Sequence, residues 1–198
     1  MNRLGPEDYQ SNRHIRKIMR LAQATRHDVF FDLGCGMGKL CVVAVKEFGV
    51  RKAVGIELHR GRAAKAARYV QELRLSHRIE IWNEDYMESD LGEATIAYCG
   101  HNETEEDVPH FEEELRAGSR FVTLFLPFVG VLPHGVDYPF YLMRLPFKKT
   151  KDVSRWTSAV LSKRATLEEL YQELDSDREY RYDKRLLGRL VKERLSGL

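Results

Sequence analysis

The stretch Val29-Phe-Phe-Asp-Leu-Gly-Cys-Gly-Met-Gly38 decides how the rest of the chain is organised. Its first residues are mostly large and apolar with little alternation, which is typical of a strand buried on both faces of a parallel sheet. Three glycines then occupy every second position, and a helical pattern begins at Lys39. A strand, a glycine turn and a helix in this order let the backbone pass very close to a ligand.

The spacing of the glycines distinguishes this turn from two other ligand-binding loops. The dinucleotide fingerprint needs G-x-G-x-x-G, and here the third glycine comes one residue early. The phosphate-binding pattern G-x-x-x-x-G-K-[ST] does not occur in the chain. What stands here is Asp32-x-Gly34-x-Gly36-x-Gly38. It closely resembles motif I, (D/E)-x-G-x-G-x-G, of the seven-strand S-adenosylmethionine-dependent methyltransferases.

Outward from this stretch, predicted strands and helices alternate, which favours a parallel sheet with helices on both faces. The fold class is therefore predicted as α/β, a Rossmann-like, doubly wound, mostly parallel seven-stranded sheet with an antiparallel last hairpin and a C-terminal helical extension. The five parallel strands are predicted at Val29–Leu33, Lys52–Glu57, Arg78–Trp82, Ala94–Cys99 and Arg120–Leu126. An open loop with Pro127, Gly130, Pro133 and Gly135 follows. The last hairpin is predicted from Tyr138–Phe147 and Ser154–Ser162.

The length suits one domain with appended segments. Residues 1–27 are predicted to form an arm and a helix that Ser11 or Asn12 caps, and residues 28–163 the cofactor-binding domain. Residues 164–198 form the charged helical extension, which Thr166 and Glu169 open as a capping box. Its basic face is predicted to be solvated, although a grip on nucleic acid remains open.

Composition bounds the location of the protein. No run is long enough to span a membrane, and the first residues lack the charged-then-apolar layout of a signal peptide. Cys35, Cys41 and Cys99 lie in apolar segments without metal-type spacing, so we expect buried free thiols and no metal site. The expected location is the cytoplasm, with no membrane contact.

The methyltransferase resemblance implies S-adenosyl-L-methionine as the cofactor and a site at the carboxyl ends of the strands. The glycine loop would approach the methionine part, Glu57 would accept hydrogen bonds from both ribose hydroxyls, and Asp85 (with Glu84 as the alternative) would bind the adenine amino group. Tyr86 and Met87 could lie along the adenine face, with core packing as the alternative. The full set of expected cofactor-binding residues is Asp32, Gly34, Cys35, Gly36, Gly38, Glu57, Leu58, Asp85, Tyr86 and, from the arm, Tyr9.

The methyl acceptor is a separate question. The Asn/Asp-Pro-Pro-Tyr/Phe motif of amino-methylating nucleic-acid enzymes is missing after the fourth strand, where the chain has Tyr98-Cys-Gly-His-Asn102. From Asp28 to about Leu126 the chain resembles small archaeal protein lysine methyltransferases and the non-SET histone lysine methyltransferases of the disruptor-of-telomeric-silencing family. The resemblance rests on the glycine loop, Ala53-Val-Gly-Ile-Glu57, Ala94-Thr-Ile and the segment Phe111–Gly118. It implies a lysine acceptor, with Tyr98, Asn102 and Trp156 as candidate catalytic residues.

Charge patterning bears on the acceptor independently. The net charge is +2, yet residues 79–115 contain thirteen acids and no Lys or Arg. A negative rim at the carboxyl ends of the third and fourth strands would repel phosphates and attract a basic, lysine-containing protein segment. Aromatic walls could hold the amine and favour its neutral form. The candidate walls are Tyr98, Phe125, Phe128 and Trp156, although core packing is the alternative for each.

Two other functions stay open. The chain could methylate tRNA or rRNA, with the basic C-terminal helix as a phosphate grip. It could also be a catalytically inactive cofactor-binding subunit of a partner enzyme, although an intact motif I argues against that. The expected assembly is a monomer or a homodimer.

Overall fold

The protein is seen in a computed structural model that describes residues 10–100 and 107–152, and its frame is a seven-stranded sheet of order β3-β2-β1-β4-β5-β7-β6. The strands are β1 Val29–Leu33, β2 Lys52–Ile56, β3 Ile79–Trp82, β4 Ile96–Cys99, β5 Arg120–Leu124, β6 Gly135–Asp137 and β7 Phe140–Arg144. The helices are α1 Asn12–Leu21, α2 Lys39–Glu47, α3 Arg60–Glu72 and α4 Val108–Glu114.

Strands β1 to β5 are parallel, as the alternating pattern predicts. β1 lies in the middle, where Asp32 is in register with Gly55 of β2 and with Tyr98 of β4. Every residue of β1 is buried, as expected for a strand covered by helices on both faces. The strand order reverses at β1, with β2 and β3 on one side and β4 and β5 on the other, and ligands of such sheets bind at the carboxyl ends of the strands at this point.

The antiparallel last hairpin is confirmed, but its strands differ from the predicted pair. β7 pairs antiparallel with β5 on one side and with β6 on the other. Pro139 and Pro146 flank β7 and shorten the predicted strand Tyr138–Phe147, since a proline cannot donate to the ladder. The outer strand is Gly135–Asp137, which the sequence assigned to an open loop, and Ser154–Ser162 lies outside the described residues.

Two apolar layers cover the sheet. Helices α1 and α2 pack with Phe30 of β1 and Val122 of β5 on one face. Phe31 and Phe121, their neighbours along the same strands, pack with Phe111 of α4 on the other face. Successive residues of a strand point to opposite faces, so the run of apolar residues in β1 serves both layers.

Helix α1 is capped and oriented by named contacts. The Ser11 side chain accepts a hydrogen bond from the His14 N–H, which fixes the start of the helix as predicted. Lys17 donates to the carbonyl of Tyr138, at the turn between β6 and β7, with an N···O distance of 2.9 Å. Just before the helix, the Gln10 side chain donates to the hydroxyl of Tyr98, in β4.

Two expectations from composition concern the described residues directly. Cys35, Cys41 and Cys99 are buried free thiols, as expected. In residues 10–100 and 107–152, the helices are too short or too polar for any of them to cross a bilayer. The arm before residue 10 and the extension over residues 164–198 lie outside the described part of the chain.

Candidate cofactor and active site

The glycine loop is locked to the neighbouring strand. Gly34, Gly36 and Gly38 have φ angles of 86°, 55° and 74°, a backbone conformation that residues with a Cβ rarely adopt. The N–H groups of Gly34 and Cys35 both donate to the carbonyl of Ile56, at 2.8 and 2.9 Å. The loop therefore turns sharply at the end of β1 and stays beside the end of β2.

Gly55 of β2 makes this close approach possible, and sequence reasoning missed it. A Cβ at position 55 would lie 2.7 Å from Cys35 Sγ, a separation that real Cβ atoms essentially never show. A lone glycine inside a strand is a signal for close approach of another segment. Cys35 is thus placed in the loop as predicted, with its thiol directed inward against β2 rather than outward.

Glu57 stands at the carboxyl end of β2 and is buried, with 4% of its surface exposed. Its Oε2 accepts from the Gly36 N–H at 3.0 Å. Its Oε1 accepts from the His59 N–H at 2.8 Å and from Arg62 Nε and Nη2 at 3.2 and 2.9 Å. The expected ribose acid therefore also braces the glycine loop and the start of α3.

Asp32 is the second buried carboxyl group of the site. Burial, and then the negative charge of Glu57, raise the pKa of Asp32 to about 7. The loop places the two acids close enough to interact, because Gly36 of the turn after Asp32 is bonded to Glu57. Near neutral pH the site therefore holds a carboxyl group that is poised between its two forms.

The adenine-side residues follow β3. Asn83 Nδ2 donates to the carbonyls of Glu57 and Leu58, at 2.9 and 3.1 Å, which ties the end of β3 to the end of β2. The Leu58 side chain lies beside this tie and is 51% exposed. Asp85 Oδ1 accepts from the Met87 N–H at 3.0 Å, so the carboxylate is held by the following turn.

Tyr86 is drawn toward the core instead. Its ring stacks on Phe111 of α4 at a centroid distance of 6.4 Å and an interplanar angle of 19°. Tyr86 and Met87 both pack at the margin of the core cluster on that face. Both side chains therefore contact the core while staying partly exposed, and contact of Tyr86 with the adenine stays a prediction.

Tyr98 is the predicted catalytic residue that the structure places at the site. The side chain is 3% exposed, and its Oη accepts from Gln10 Nε2 at 2.8 Å. A Cβ on Gly100 would lie 2.7 Å from this Oη, so a side chain at residue 100 would displace the phenol from its present position. Gln10 and Gly100 were not predicted as site residues, and no local sequence pattern marks Gln10.

The other candidates divide into two groups. Tyr9, Asn102 and Trp156 lie outside the described residues. Phe128 is 1% exposed and packs among the phenylalanines of α4, β5 and the segment after β7, so it belongs to the core. Phe125 is partly buried, packs against the opposite core and has a φ of 68°.

The acidic block is less uniform than its sequence indicates. Lys52 at the start of β2 forms ion pairs with both Glu80 and Glu93, at 2.9 and 3.2 Å, so one lysine partly offsets the charge of these two acids. Glu112 is paired with Lys149 at 2.5 Å. Glu84 and Asp85 remain next to the site, directly after β3, and the acids at 103, 105 and 106 lie outside the described residues. Part of the acidic block therefore lies away from the site, and the negative rim at the carboxyl ends of β3 and β4 stays a prediction.

The residues present fit an adenosine bearing an amino-acid tail. A carboxylate at the end of β2 suits a pair of vicinal hydroxyls, and an exposed leucine beside it suits the flat face of a base. The loop is rich in glycines, which carry no Cβ, and its backbone therefore suits close approach of the amino-acid tail. The ends of the neighbouring strands β1 and β2 supply all of these groups to one edge of the sheet.

Comparison with known proteins adds an independent line. A sequence family described as the ANTKMT methyltransferase domain matches residues 32–134, from Asp32 through Tyr98 to the loop before β6. A protein-lysine N-methyltransferase of Saccharolobus islandicus (strain REY15A) is 32% identical over 111 residues, which cover 55% of this chain and 69% of the archaeal protein.

Solved structures agree on the fold. An RNA methyltransferase of Salinibacter ruber, solved with S-adenosyl-L-homocysteine, is 25% identical with a TM-score of 0.66, covering 74% of this chain and 99% of that one. The YjhP protein of E. coli is 17% identical with a TM-score of 0.53, covering 60% of this chain and 50% of that one. The second likeness concerns the fold alone.

Proposed function

This chain belongs to the family of the ANTKMT methyltransferase domain and is an S-adenosylmethionine-dependent methyltransferase, and we propose that its acceptor is the side-chain amine of a lysine in a protein substrate. The observation that carries the lysine acceptor is the 32% identity to a protein-lysine N-methyltransferase over 111 residues, which cover 69% of that protein. The missing Asn/Asp-Pro-Pro-Tyr/Phe motif after β4 supports the same choice.

We propose that the cofactor lies across the carboxyl ends of β1 to β3. Gly34, Gly36 and Gly38 leave room for its methionine part, and Glu57 holds the ribose. Asp85 holds the adenine amino group, and Leu58 contributes its exposed side chain to the face of the base. When bound, S-adenosylmethionine supplies a methyl group that its sulfonium already activates, so the protein has to hold the acceptor in line with it.

Tyr98 is the residue that we propose touches the acceptor. Its Oη is held by Gln10 at the carboxyl end of β4, beside the β1 end that carries the glycine loop. A phenol oxygen in a buried setting can accept a hydrogen bond from the incoming amine and fix its direction. Burial around Tyr98 also disfavours the charged form of that amine, as attack requires a neutral nitrogen with a free lone pair.

The charge at the site supports a basic substrate. Glu84 and Asp85 lie directly after β3, at the carboxyl ends of the strands, whereas Glu80 and Glu93 pair with Lys52. Two acids at the mouth of a cleft attract a cationic peptide and repel the phosphates of a nucleic acid within about 10 Å at physiological salt.

An RNA acceptor is the second candidate, and one observation favours it. The Salinibacter ruber protein, whose structure matches this chain over 99% of its own length, is an RNA methyltransferase. The seven basic residues after residue 177 would supply its phosphate grip. The acidic end of β3 argues for the protein substrate as first choice.

A direct comparison of substrates tests the proposal. The purified chain with S-adenosylmethionine should methylate a lysine-rich basic peptide, detected by mass spectrometry as a mass increase on lysine. The matched peptide with arginine in place of lysine should stay unmodified. Methylation of total tRNA or rRNA in parallel reactions, with both peptides inert, would transfer the assignment to the second candidate.

A further inference from the structure

The strongest unassigned feature of the site is the guanidinium that faces Glu57. Arg62 lies in the first turn of α3, and its Nη2 is 2.9 Å from Glu57 Oε1. The side chains of both residues are nearly buried, at 11% and 5% exposure. A buried ion pair of this kind needs good geometry to offset the loss of hydration.

The start of α3 fixes Arg62 in this place. His59 Nδ1 accepts from the N–H groups of Gly61 and Arg62, at 3.1 and 3.2 Å, as a helix cap. The His59 N–H itself donates to Glu57 Oε1. The arginine therefore projects from a capped helical turn that is tied to the carboxylate it meets.

The acceptor capacity of Glu57 is already in use. A carboxylate offers about four lone-pair positions, two on each oxygen. Oε1 has three donors, from His59 N–H and from Arg62 Nε and Nη2, whereas Oε2 has one, from Gly36 N–H. Two ribose hydroxyls bring two further donors, so at least one of the present hydrogen bonds to Glu57 has to break when they bind.

Two of these four donors, Nε and Nη2, belong to a side chain, that of Arg62. The N–H groups of Gly36 and His59 are backbone groups of the glycine loop and of the α3 cap, and cannot leave without moving those segments. The Arg62 guanidinium can shift by a small rotation, release part of Oε1 and stay beside the carboxylate. Its N–H groups can then donate to a hydroxyl oxygen that itself donates to Glu57.

We propose that Arg62 is a positioning residue of the ribose subsite, which holds Glu57 for the two hydroxyls and joins them in one hydrogen-bond network. The inference rests on the proposed placement of the ribose at Glu57. It predicts that loss of the Arg62 side chain weakens the binding of a ligand that has ribose hydroxyls and has little effect on the binding of a ligand that lacks them.

The test compares the affinities of two ligands for the parent protein and for several variants, measured by calorimetry on the full chain. The ligands are S-adenosylhomocysteine and its analogue that lacks both ribose hydroxyls. Arg62→Met should weaken binding of S-adenosylhomocysteine by about tenfold or more, the size expected for a lost charge-assisted contact. The same variant should change binding of the analogue by less than about threefold. Arg62→Lys should recover part of the lost affinity, because lysine restores the positive charge but not the paired donors of the planar guanidinium.

Three outcomes distinguish the possibilities. An equal loss for both ligands in Arg62→Met and Arg62→Lys would show a merely structural role and overturn the proposal. Arg60→Met, at an exposed site in the same helical turn, is the matched control and should bind both ligands like the parent. Glu57→Gln should lose the preference for the hydroxyl-bearing ligand. A parent-like preference in that variant would instead refute the ribose placement itself.

Discussion

At the scale of single residues, two buried acids beside one glycine loop explain much of the chemistry of the site. Asp32 and Glu57 end neighbouring strands, and only Glu57 faces an arginine across an ion pair that the structure describes. Motif I and the acid after β2 made both acids recognisable in the sequence. Their burial and mutual influence depend on the register between β1 and β2, which no sequence pattern contains.

Asp32 makes the protein less stable as the pH rises. Its pKa is about 7 in the folded chain and 3.8 in an exposed aspartate, so the unfolded state loses its proton first. Between about pH 4 and pH 7 the folded state therefore loses stability relative to the unfolded state. Asp32→Asn should raise the free energy of unfolding by about 1 to 4 kcal/mol at pH 8, and by much less at pH 4.5. Urea denaturation at both pH values measures this, and a pH-independent difference would contradict it.

Gly55 should tolerate no side chain. In Gly55→Ala the new Cβ would meet Cys35 Sγ at 2.7 Å and Cys35 Cβ at 2.9 Å. Overpacking of this kind costs about 1 to 3 kcal/mol, which urea denaturation should detect. The double variant Cys35→Ala with Gly55→Ala should recover part of that loss, because the sulfur is gone. A double variant no more stable than Gly55→Ala would show that the clash lies elsewhere.

The Tyr98 hydroxyl should matter for turnover more than for cofactor binding. Tyr98→Phe removes the group that Gln10 holds. The expected result is a fall in kcat of at least about tenfold, with affinity for S-adenosylhomocysteine changed by less than about threefold. Tyr69→Phe, at the 37% exposed tyrosine of α3, is the control and should retain full kcat. Full turnover in Tyr98→Phe would remove this residue from the mechanism.

At the scale of elements, the parallel half of the sheet was predictable and the antiparallel half was only partly so. All five parallel strands were predicted from segments rich in apolar residues, and the structure confirms all five. β6 has only Val136 as an apolar residue and lies among Gly135, Pro133 and Pro139, so its sequence is typical of a loop. It forms a strand because it pairs with the free edge of β7, and such a tertiary contact cannot be predicted from strand propensity.

The beginning of α1 links stability to the site. Ser11 accepts from the His14 N–H at 3.2 Å, and the residue before it is Gln10, the partner of Tyr98. Ser11→Ala should lower the free energy of unfolding by about 1 kcal/mol, the usual cost of a lost N-cap. Ser11→Asp should retain most of the stability, since aspartate caps equally well. Thermal denaturation of the two variants checks this, and equal losses in both would show that burial of Ser11 matters rather than its hydrogen bond.

At the scale of the whole molecule, charge distribution and topology together determine which substrate the cleft favours. The parallel strands β1 to β4 have their carboxyl ends at one edge of the sheet, and the acids after β3 lie at that edge. Glu80 and Glu93 instead share an ion pair with Lys52. The sequence showed the acidic block but not this division, because ion pairs between residues 52, 80 and 93 follow from the strand register. The basic segment after residue 177 lies outside the described residues.

The most direct test of the account is transfer of a tritiated methyl group from S-adenosylmethionine into a whole-cell lysate by the purified chain, followed by parallel digestion with protease and with nuclease. The account predicts label that protease releases and that amino-acid analysis recovers as methylated lysine. Glu57→Gln, as a matched control, should transfer none. Label that only nuclease releases, or label on a residue other than lysine, would contradict the account.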